Sequence, residues 1–211
     1  MRKYAVLTAF ILLITFSVFA DSPLTSTGFA EAYMDNEMVA VAAESGYMDA
    51  DIAGYLADPD VALDEKAAVI NALSWDIDGK TNALYFVHFL YSRYLHSTMR
   101  ENNADNYQLF LLSMTSEDRF CYGYLLALDD YFDVRDAEGI LAGVREQLNH
   151  SFTAAIIHAV VKAQVLMDGD WCEVWMVTED VLKDDLLERD MREPAINIIV
   201  DYMFLYADEC E

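Results

Sequence analysis

Only three prolines and eight glycines occur in the 211 residues of this chain, and that scarcity restricts its fold more than any other feature. A β-sandwich or barrel needs many tight turns, and tight turns draw on those two residues. The prolines stand at apparent boundaries: Pro23 near the start, Pro59 within Asp58-Pro59-Asp60, and Pro194 ahead of the last apolar run. Pro194 suits the first turn of a helix, where a missing N–H is no loss.

Helix-start residues recur between the apolar segments. Asp49 precedes Ile52, Asp64 opens 65–75, Thr81 opens a segment to about Met99, and Ser116-Glu117-Asp118 opens a run through Tyr131. Ser151 opens a run to Met167, and Asp170 with Glu173 has the spacing of a capping box. Short turns separate them: Ser45-Gly46, Asp78-Gly79, Asn102-Asn103 and Asp168-Gly169. Connections this short make successive helices antiparallel neighbours.

The expected fold is therefore all-α, a compact multi-helix domain of antiparallel helix pairs with eight to ten helices. In residues 81–99 two faces are apolar: Leu84, Val87, Tyr91 and Leu95 on one, Phe86, Phe89 and Leu90 on another. A helix apolar nearly all round is expected to be buried from both sides. The runs 152–166 and 195–206 read the same way, although Ile196 to Val200 is β-branched enough for a strand. Ala68 to Leu73, Ala155 to Val160 and Ala195 to Ile198 echo one another. A true repeat would give a HEAT-like α-α superhelix, while shared composition explains the echo equally well.

Met1-Arg2-Lys3 followed by an apolar run to Phe19 has the form of a secretory signal peptide, with Val18-Phe19-Ala20 as the cleavage site. Residues 1–20 are expected to be removed, leaving 21–211 as a single acidic helical domain in the periplasm or extracellular space. The alternative is a signal anchor, for which the stretch is short. No later run is long and uncharged enough to span a bilayer. The leader holds two of the 13 Lys and Arg and none of the 37 Asp and Glu, so the remainder carries a formal charge of −26. Such a surface repels phosphate backbones and anionic headgroups, which argues against nucleic-acid partners.

Three cysteines follow the leader. Cys121 lies in the apolar run Phe120 to Leu125 and is expected to stay reduced. If a disulfide forms it should join Cys172 to Cys210, tying down the C-terminal tail. The alternatives are three reduced thiols or an intermolecular bond at Cys210.

No motif assigns chemistry. His88 with His96, and His150 with His158, are eight apart, whereas metal-binding helices use three or four. Asp76-Ile77-Asp78-Gly79 lacks the later spacing of a calcium loop: counted from Asp76 as the first, the twelfth position is Val87. Acidic pairs such as Asp129-Asp130 and Asp184-Asp185 are too numerous to select one. Nucleophile elbows and phosphate loops are absent, so no cofactor and no metal is expected. Trp171 and Trp175 share a helical face and form a candidate interaction surface, with core packing as the alternative. Three functional classes remain: a non-catalytic module binding a protein or peptide in the cell envelope, an acidic inhibitor or immunity-like protein against a basic partner, and a small envelope hydrolase with a dispersed acidic site.

Overall fold

The computed structural model describes residues 22–210, so the expected signal peptide and its expected cleavage site lie outside the described residues. Those residues form eleven α-helices and two 3-10 segments with no strand, an all-α fold. The helices are α1 Pro23–Ser26, α2 Glu37–Ser45, α3 Ala50–Leu56, α4 Leu63–Leu73, α5 Asn82–Thr98 and α6 Ala104–Ser113. They continue with α7 Ser116–Asp129, α8 Arg135–Gln147, α9 Phe152–Leu166, α10 Trp171–Lys183 and α11 Glu193–Met203. The 3-10 segments are η1 Phe29–Tyr33 and η2 Phe204–Cys210. The helix count exceeds eight to ten because α1 is a single turn and because Asn103, read as part of a turn, caps α6 through the Asn106 N–H.

Local chemistry fixes most starts. Asp49 accepts from the backbone of Asp51 and Ile52, and Ser151 from Ala154. At α7 the cap is Thr115, one residue earlier than the sequence indicates, in a reciprocal box with Asp118. Asp170 accepts from Cys172 N–H, and Pro194 lies in the first turn of α11. The β-branched stretch 196–200 is helix, since its apolar residues Ile196 and Ile199 fall on one buried stripe.

Helices α4, α7 and α9 pack on one another, and α9 is buried over most of its length. Around them run α2 on α4, α5 on α7, α8 on both α7 and α9, and α10 on α9. The successive packing of α7, α8, α9 and α10 is what stacked helix pairs share. Two further contacts close the fold in a way that a solenoid with only neighbour contacts does not: α1 packs on α9, and η1 packs on α11. The three echoing segments all lie in well-buried helices, and α4 touches α9 directly.

Between helices, glycine permits close approach at Gly123 of α7, where a Cβ would meet Ile140 and Leu141 of α8 at 3.0–3.2 Å. At the chain ends, Arg192 lies 4.4 Å over the buried ring of Tyr33 and donates to Ala32 O at 3.2 Å and to Asp35. Tyr33 in turn donates to Asp64 at 2.7 Å and accepts the Arg192 backbone N–H at 3.1 Å. No helix among the described residues is long and apolar enough to cross a membrane.

Candidate interaction surfaces

Cys172, at the start of α10, is bonded to Cys210 at the end of η2, with Cα atoms 4.7 Å apart. The bond holds η2 along α10, and an aromatic cluster fills the seam. Trp171 meets Tyr206 edge-on at 6.0 Å and Trp175 meets Phe204 edge-on at 5.3 Å. Trp171 stays 47% exposed, donating its indole N–H to Met167 O, while Trp175 is half-buried. Both tryptophans thus pack within the seam and also reach the surface. Neither residues 163–182 nor 193–211 contain a Lys or Arg, whereas Asp170, Glu173, Asp208 and Glu209 are exposed there.

A second surface runs along α5. The helix buries Phe86, Val87, Leu90 and Tyr91, but Leu84 is 55% and Tyr85 41% exposed. The expectation that α5 is covered on both sides is therefore wrong for its outer face. Helix α6 packs on α5, yet nothing among the described residues covers the stripe through Leu84, Tyr85 and His88. The stripe is concave. Thr81, Leu84, Tyr85, His88, Phe89 and Ser92 line a mostly apolar hollow of about 460 Å³. His88 and Ser92 also belong to a second hollow of about 460 Å³, shared with Tyr91, Asn103 and Tyr107. At the other end Thr81 joins a third, acidic hollow of about 370 Å³ formed by 76–81 and 129–132. Three depressions thus follow one helix.

The acidic hollow is built by an exchange between helices. The Thr81 side chain caps nothing, and the start of α5 is instead served by Asp129, the last residue of α7. Its Oδ2 accepts the Ala83 N–H at 2.7 Å, and its backbone carbonyl accepts the Lys80 N–H at 2.9 Å. A carboxylate is unfavourable at the C-terminus of α7 and favourable at the N-terminus of α5. Gly79 completes the turn with φ +78, and a Cβ there would stand 3.1 Å from the Asp129 carbonyl. Asp76 Oδ1 accepts the Asp78 N–H and closes the turn.

The remaining reactive groups are placed in the core. His158 of α9 is buried and bonds Glu138 of α8 at 3.0 Å; burial pulls it below the ordinary histidine range although Glu138 opposes this. Burial pushes the Cys121 thiol far up, which keeps it protonated and inert. Lys66, buried in α4, is neutralised by Glu117. Among the described residues no three His, Cys, Asp or Glu side chains are gathered to hold a metal ion. No protein-family model matches the chain, no curated protein is similar to it, and no solved structure matches it.

Proposed function

We propose that the protein is an exported, non-catalytic helical module that binds a protein or peptide in the cell envelope along the outer face of α5. One observation carries the reading: Leu84 and Tyr85 are exposed on a concave apolar stripe of a helix whose other side is firmly packed. Apolar side chains in a preformed hollow favour a partner's apolar groups, because burying them removes surface from water at about 25 cal/mol per Å². Clustered histidine, cysteine or carboxylate chemistry does not compete for this face. The Cys172–Cys210 bond supports export, since structural disulfides persist in oxidising compartments.

A photo-reactive phenylalanine analogue placed at position 85 in the native host tests the reading. A discrete adduct is expected from position 85 and none from position 101, an exposed site in the loop after α5. Equal labelling from both positions, or none from 85, overturns it.

A second reading has its own support. The seam around Trp171 and Trp175 joins exposed aromatics to acids with no basic residue in the same segments, which suits a basic partner and an inhibitor-like role. Raising the salt concentration should weaken that complex strongly and the α5 complex little.

A further inference from the structure

Two exposed apolar surfaces of opposite charge stand on this one chain. The first is the outer face of α5. None of residues 79–100 is Asp or Glu, in a chain with 37 of them, and His88, Arg93, His96 and Arg100 are all exposed there. Among the described residues the other long acid-free stretch, 147–167, is mostly buried in α9. Arg93 forms no ion pair among the described residues, and its guanidinium lies over the Phe89 ring at 5.7 Å. On a molecule of formal charge −24, an arginine that meets no carboxylate marks a face clear of acids.

The second surface is the seam of α10 and η2. Trp171, Phe204 and Leu205 are 47%, 59% and 66% exposed. Their exposed charged neighbours in sequence are Asp170, Glu173, Asp208 and Glu209, with no Lys or Arg in 163–182 or 193–211. The fold keeps the two surfaces apart. Helix α5 packs on α7, α7 on α9 and α9 on α10, so α5 and the seam stand at the two ends of one series of packed helices. A molecule's own seam therefore does not cover its own α5, but the seam of another molecule can.

Charge selects among the ways two copies can meet. A symmetric contact sets the same patch of each copy face to face. Laying α5 on α5 would oppose Arg93 and Arg100 to themselves, and laying seam on seam would oppose Glu173, Asp208 and Glu209 to themselves. Like charges across an interface are costly. The crossed arrangement covers both apolar surfaces and brings opposite charges together. The net charge of both copies resists approach from afar, but physiological salt screens it beyond about 8 Å, so the charges in contact decide. We propose that the occupant of the α5 face is the α10–η2 seam of a second copy of this chain, in head-to-tail association. Trp171, Phe204 and Leu205 supply the apolar contact, and the arginines fix which faces meet. The proposal rests on the docking reading of α5 given above and names its partner. Each copy added leaves one face of each kind free, so the association continues into a ring or a filament.

Sedimentation velocity of protein from its native host, in physiological salt, is the test. The wild type is expected to form species larger than a dimer as concentration rises from micromolar to millimolar. Leu84→Asp on α5 and Leu205→Lys on the seam alter side chains that are more than half exposed, so both variants should melt as the wild type does. Each should weaken self-association at least about tenfold, the cost of setting an unpaired charge in an apolar contact. Mixed together, the two variants should restore a dimer and nothing larger, because each retains the face that the other has lost. Arg93→Glu and Asp208→Lys repeat the cycle through charge alone and cover the case in which a leucine variant misfolds. A wild type that stays monomeric throughout, a single variant that associates as the wild type does, or a mixture that stays monomeric would overturn the proposal. The photo-reactive residue at position 85 separates this proposal from the reading beneath it. An adduct of twice the chain's mass is expected. An adduct to a different protein overturns the second copy and leaves docking on α5 standing, whereas no adduct overturns both.

Discussion

Single side chains decide more here than their sequence positions reveal. Asp129 stands in an acidic pair that looks like any other, among 37 acids. Its distinction arises from a helix 46 residues away, whose start it caps. Burial pushes its carboxyl up to about 6, even though the α5 N–H groups and Lys80 pull the other way. A folded value above the unfolded one, near 3.9, means that folding takes up a proton. The associated stability is present below about pH 4 and is lost as pH rises through about 6. Between pH 4 and 7 the wild type should therefore lose about 2–3 kcal/mol relative to Asp129→Asn. Denaturant titrations of both proteins across that range measure the difference, and the other acids cancel. A constant difference would show that the carboxyl is not desolvated. His158 illustrates the same limit: an eight-residue spacing argues against a shared metal, but only the fold shows the imidazole paired with Glu138.

Helices were legible where a cap and its helix are neighbours in sequence. Asp49, Ser151, Asp170 and Pro194 each act within one turn, so a local reading finds them. It fails where the cap comes from elsewhere, as with Asp190, which accepts from Ser151 Oγ and Thr153 N–H at the start of α9. It fails also for the outer face of α5, because periodicity records which residues are apolar and not which face finds a neighbour. The same element scale governs the C-terminal seam. Segment η2 is held by one bond closing a 38-residue separation and by the aromatic contacts of α10. Reducing the bond, or replacing Cys210 by Ser, should cost up to about 4 kcal/mol in the chain-entropy model. Thermal melts with and without reductant give the size. Hydrogen exchange should place the loss of protection in 202–210, and a loss spread evenly over the chain would contradict the pinned-segment picture.

Across the whole molecule the least legible feature is the closure of the fold between its ends. Composition and scarce turns announced an all-α class, but no spacing announced that Tyr33 and Arg192 would meet. Replacing Arg192 by Ala removes the cation over the Tyr33 ring and the donor to Ala32. Its ion pairs, with exposed Asp35 and with half-buried Glu65 at 3.7 Å, contribute little. A destabilisation of about 1–2 kcal/mol is expected in a denaturant melt; a change below about 0.5 kcal/mol would show that the closure rests on helix packing alone. That closure also orders events in time. Leu24, Phe29 and Tyr33 are fully buried, and the partners of η1 include α11, so the hydrogen bond from Arg192 to Tyr33 spans 159 residues. A chain made N-terminus first can seat η1 on α4 early, through Asn71 with Ala30 and Asp64 with Tyr33, whereas the contact with α11 waits until Arg192 has been added. η1 is thus covered in two stages, first on the side that meets α4 and only much later on the side that meets α11.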